Sequence, residues 1–109
     1  MDNIQEIKEQ IQKKPSFVEE NEDGTYTLKL KKEDLLPDGE LIIEEQNGET
    51  IESCTRLAEK TNSNMEILLA RRSCLKPKLS DSDFSKLKGS NYMKIKFATM
   101  YIYGFNDFL

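Results

Sequence analysis

Apolar residues recur in different rhythms along this chain, and each rhythm predicts a different element. Over residues 3–14, Ile4, Ile7 and Ile11 stand at helical spacing among polar neighbours. That pattern predicts a short, peripheral amphipathic helix with a narrow apolar stripe. Pro15 ends it, because a residue before proline avoids the helical region. Residues 17–24 are acidic and read as a loop. Thr25–Leu30 alternates with period two and is rich in strand formers, which predicts a strand with Tyr26, Leu28 and Leu30 turned inward. Leu35 and Leu36 add apolar cover before the turn Pro37-Asp38-Gly39. Leu41, Ile42 and Ile43 then predict a second short strand that pairs with the first.

Residues 44–60 fit two templates. Asn47-Gly48 is a type I′ hairpin signal between two strand-like tracts. Against it, Ile51, Cys54, Leu57 and Ala58 follow a helix face from about Glu49 to Lys60. Further on, Ser63 and Glu66 read as a capping box that opens a helix over Asn64–Leu75. Lys76-Pro77-Lys78 stops it. Ser80 and Asp83 predict a second capped start, with Leu79 stapled onto Phe84, and Gly89 reads as the left-handed end of that short helix. The last segment, Tyr92–Phe105, with Ser90 or Asn91 as its cap, also fits two templates. Met93, Ile95 and Phe97 alternate as in a strand. Met93, Phe97, Met100 and Tyr101 form one helical stripe, and Ile95, Ala98 and Ile102 form another. The segment exceeds a typical strand in length, so a helix is expected.

The expected fold is therefore α+β and mainly α. A small two-stranded β element over residues 25–43 precedes a bundle of about four helices over residues 44–105. The whole of residues 1–109 is read as a single domain, as the length allows. No run of apolar residues is long enough to span a membrane, and the polar N-terminus carries no secretory pattern. A cytoplasmic location is expected, with Cys54 and Cys74 as reduced, buried thiols.

Composition narrows the chemistry. The chain has no histidine. That removes Ser-His and Cys-His catalysis, histidine proton shuttling and nearly all zinc and iron sites. Glu44, Glu45, Glu49 and Glu52 cluster, but no loop with calcium-ligand spacing surrounds them, so a solvated acidic face is the better reading. Asp81 and Asp83 compensate a helix dipole, and Arg71-Arg72 suits a helix C-terminus better than a phosphate site. No enzyme, metal or cofactor is expected. The net charge of −4 divides unevenly: acidic residues dominate residues 1–55, whereas residues 56–109 carry ten basic residues and five acidic ones. The simpler reading is charge scattered over a solvated surface; the sharper one is a dipolar subunit suited to weak head-to-tail association.

Six aromatics, Tyr92, Phe97, Tyr101, Tyr103, Phe105 and Phe108, fall in the last 18 residues. Tyr92 and Phe97 are expected to complete the core. A small domain has little room for the rest, so Tyr101, Tyr103, Phe105 and Phe108 are expected to form a partner-binding surface.

Three tracts carry a family resemblance: Ile43–Thr55, then Ile67–Leu75, then Leu79–Leu87 followed by Gly89. With them the chain resembles, over about residues 26–105, the tail assembly chaperones of long-tailed bacteriophages and phage-like particles. The resemblance implies a non-enzymatic protein of the host cell cytoplasm that coats and solubilises the helical tape measure protein. Tail tube subunits would displace it as the tube grows. It implies weak homo-oligomers. Contact with nucleic acid is not expected from the residues themselves, since the basic side chains are spread out with no dense stripe interleaved with aromatics, nor is contact with a membrane. A different class is also open. A small acidic inhibitor or decoy would bind a basic partner, such as a nucleic-acid enzyme, one-to-one through residues 17–52.

Overall fold

The computed structural model describes residues 14–104. The helix expected over residues 3–14 falls, but for its last residue, outside the described residues. Phe105 and Phe108 also lie outside them.

Four strands form one antiparallel sheet in the order β1-β2-β3-β4: β1 Val18–Glu20, β2 Thr25–Lys29, β3 Glu40–Glu44 and β4 Cys74–Lys76. Four helices complete the fold: α1 Gly48–Thr61, α2 Met65–Ser73, α3 Asp81–Lys86 and α4 Gly89–Ile102. This corrects the expected pair of strands followed by a helical bundle. β2 and β3 pair as the sequence predicts, with Leu28 opposite Leu41 and Tyr26 opposite Ile43. The acidic tract expected to be a loop contributes β1. The expected end of a helix contributes β4. Each added strand is three residues long and too short to show a period of its own; each forms because a longer strand is there to pair with.

Pairing places side chains on faces. Val18, Leu28 and Leu41 share one face, followed two positions along by Tyr26, Ile43 and Cys74. That face is buried against helices. The opposite face is polar. Lys29 pairs there with Glu40, and with Glu19 at 3.8 Å, while Asn21 donates to the hydroxyls of Thr25 and Thr27. One face packed on the core and the other carrying mostly polar side chains is the expected outcome of such alternation in an antiparallel sheet.

The β2–β3 connection, residues 30–39, is closed by Leu30 N–H donating to the Gly39 carbonyl at 2.7 Å. Gly39 has φ +67°, and a Cβ there would lie 2.8 Å from the Leu30 carbonyl oxygen, so only glycine closes this loop. Leu36 anchors the loop in the core with no exposed surface.

The helices begin and end for identifiable reasons. At residues 44–52 the helical template prevails over the hairpin. Asn47 serves as the cap of α1, accepting from the Thr50 N–H, and Asn62 closes the helix at φ 55°. This turns Ile51, Cys54, Leu57 and Ala58 toward Leu68 and Leu69 of α2, a second small core that a hairpin would forfeit. The cap of α2 is Asn64, which accepts from the Ile67 N–H at 3.0 Å, not Ser63, whose hydroxyl meets Thr61 instead. α2 stops at Ser73, two residues before the expected end. The capping box at Ser80 and Asp83 is present in both halves, and Leu79 and Phe84 at the staple positions are both buried.

Two boundary expectations are corrected at α4. Gly89 does not end α3 in a left-handed turn; it is the first residue of α4, and α3 closes at Leu87. Neither Ser90 nor Asn91 caps α4. Asn91 lies inside the helix, fully buried. Its side chain accepts from the Lys31 N–H and donates to the Lys31 carbonyl, both at 2.9 Å, and to Glu33. The Glu33 carboxylate also accepts from the Lys88 N–H. The negative charge that favours a helix N-terminus therefore arrives from a loop 55 residues upstream.

Candidate partner-binding surface

α4 packs on α2, and the two helices cover the sheet. Of the two stripes along α4, the one formed by Ile95, Ala98 and Ile102 is buried. The other faces outward. Met93 is 42% exposed and Phe97 50% exposed, and Met100, one turn further on, is half-buried. Phe97 is therefore not a core residue, contrary to expectation. Residues i, i+3 and i+4 are neighbours on a helix, so Met93, Phe97 and Met100 line up as one apolar ridge. The signal for it was in the sequence: a helix with two apolar stripes on opposite sides buries only one when it lies against a single layer.

The tyrosines expected at the surface behave differently from one another. Tyr103 is half-buried and touches both cores. Its hydroxyl accepts from the Gln46 N–H and shares a hydrogen bond with Ser73, both at 2.7 Å. Burial is the main cause that holds its phenol above the ordinary range, with those two hydrogen bonds acting the other way. Tyr103 thus ties the start of α1 to the end of α2. Tyr101 is half-buried at the edge of the main core, and its hydroxyl donates to Glu20 of β1 at 2.9 Å. Tyr92 packs against the main core as expected.

The basic groups around the ridge come from α4 itself. Lys94 and Lys96 lie within it, Lys88 caps it, and it contains no acidic residue. The Lys94 ammonium stands 5.7 Å from the centroid of the Phe17 ring, which brings the start of β1 beside α4. Arg71 is committed elsewhere. Its guanidinium lies over the Phe84 ring at 5.8 Å and 3.7 Å from Asp81.

The described surface carries open clefts. One, of about 220 Å³, lies by Pro37, Glu40, Ile42, Lys76 and Pro77 on the polar side of the sheet. Among the described residues no group of three or more carboxylates or thiols gathers to hold a metal ion, Glu44, Glu45, Glu49 and Glu52 included. No helix among them is long and apolar enough to cross a membrane. Both thiols are buried and free. Burial raises the Cys54 thiol and pushes Cys74 up to about 12. Because the thiolate is the reactive form, neither cysteine should be alkylated by iodoacetamide in native buffer at about pH 8, and both should be once urea is added. Mass spectrometry of the intact protein checks this; rapid native labelling would contradict the placement.

Comparison with known protein families, with characterised proteins and with solved structures found no match.

Proposed function

We propose that this chain is a non-enzymatic, helix-binding chaperone of the phage tail assembly kind, which shields a long helical tape measure protein. The observation that carries the reading is the Met93–Phe97 ridge, large apolar side chains left uncovered on a helix whose other side is fully used. An exposed apolar line on a rigid helix suits an amphipathic helix laid beside it. A chaperone that must later be displaced needs modest contacts repeated over many copies, and a single short ridge supplies contacts of that size. The three tracts of sequence resemblance agree with this role. The four-stranded sheet is additional to the element order on which the resemblance was drawn.

Phe97→Glu tests the reading. Phe97 is half-exposed, so the fold should survive, with a melting temperature close to that of the parent. Capture of a helical tape measure segment from the same gene cluster, co-expressed and pulled down, should fall by about tenfold or more, as at a binding hot spot. Unchanged capture would defeat the proposal. Salt-sensitive one-to-one binding of a basic partner that ignores Phe97 would favour the acidic decoy instead.

A further inference from the structure

The ridge on α4 has a lysine on each border. Lys94, three residues before Phe97, lies on one side of it with Tyr101. Lys96, three residues after Met93 and four before Met100, lies on the other. α4 contains no aspartate or glutamate along its length to offset them. The acidic groups that reach α4 come from other elements and meet its ends: Glu33 accepts from Asn91 and the Lys88 N–H at the start, and Glu20 accepts from Tyr101 at the far end. The Lys94 ammonium stands over the Phe17 ring, a contact that restrains it on its side of the helix.

We propose that the ridge selects a partner helix whose apolar stripe is bordered on both sides by Asp or Glu. This rests on the helix-binding reading above and names the chemistry of the helix it takes. Carboxylates along both borders of the incoming helix would meet an ammonium on each side, whereas a helix bordered by Lys or Arg would set like charges together. Discrimination of this kind comes as much from repulsion of the wrong partner as from attraction of the right one. The two methionines supply the apolar contact without demanding one sequence, since their unbranched thioethers adapt to uneven surfaces.

The test uses the full chain and two synthetic amphipathic peptides of roughly 15 residues, the length at which isolated helices begin to hold. Both carry the same leucine stripe; one is bordered by glutamate and the other by lysine. Fluorescence anisotropy at low salt should show the glutamate-bordered peptide binding about tenfold tighter or more, with the preference shrinking as salt rises. Lys94→Glu with Lys96→Glu should reverse the order. Should that variant fail to fold, Lys96→Gln alone should reduce the preference about threefold.

Equal binding of the two peptides, tighter binding of the lysine-bordered one, or binding of neither would overturn the proposal. So would a requirement for Ile4→Ser, Ile7→Ser and Ile11→Ser before either peptide binds, because residues 3–14 of the chain itself would then be the occupant. The two proposals fail separately. Peptide preference without tape measure capture removes the phage reading and leaves this one. Phe97-dependent capture without a border preference removes only this one.

Discussion

Replacing Phe84 with alanine should remove about 3–5 kcal/mol of stability, the range for deleting a buried aromatic ring. Phe84 has no exposed surface and is the largest fully buried side chain among the described residues. It sits on α3, a helix of six residues, far too short to hold by hydrogen bonds alone. What keeps α3 in place is this ring in the main core, Leu79 beside it, and the Arg71 guanidinium over the ring face. A domain of this size commonly has about 5–15 kcal/mol in total, so the variant should be partly unfolded at physiological temperature. Urea titration followed by circular dichroism measures the loss. Phe84→Leu, which retains much of the volume, should cost clearly less. Equal losses for both variants would mean that shape, not buried volume, decides at this position.

Asn91→Leu should cost about 2–4 kcal/mol although it puts a hydrophobic residue of similar size into a buried site, because buried partners left unpaired are costly. The side chain of Asn91 satisfies both backbone groups of Lys31 and also meets Glu33, so three partners lose it at once. Hydrogen exchange should show where the loss falls. Amides of residues 30–36 should lose protection along with the first turn of α4, while β1 and β2 retain theirs. Uniform loss across the sheet would show that the contact is not local in its effect.

How far the sequence revealed this structure depends on whether a signal was local. β2 and β3 were legible because each carries several apolar residues in alternation. The Ser80–Asp83 cap was legible because both partners lie within four residues. β1 was hidden by composition: a lone valine followed by two glutamates becomes a strand only because Leu28 offers Val18 a partner. β4 was hidden by continuity, since Cys74 and Leu75 extend the apolar run of α2 without interruption. The role of Asn91 was hidden by distance. Beside a helix start an asparagine reads as a cap, and nothing nearby reveals that its partners lie 58 and 60 residues earlier.

The candidate surface was half legible. The sequence displayed both stripes of α4, but only packing decides which one a sheet and a neighbouring helix will cover. Once Ile95, Ala98 and Ile102 take the inner side, Met93 and Phe97 have no inner place left. Tyr103 illustrates the converse. Its hydroxyl finds Gln46 in the loop before α1 and Ser73 at the end of α2, and so an aromatic near the end of the described chain joins the interior.

The brevity of the two outermost strands also bears on crowding. A long free strand edge invites a neighbour to add itself and extend the sheet, which is how β proteins fuse into fibres. Here one edge offers Val18 and two glutamates, and the other three residues that end at Pro77, which has no N–H to donate. Among the described residues, neighbouring molecules therefore find little free strand edge along which to extend a shared sheet.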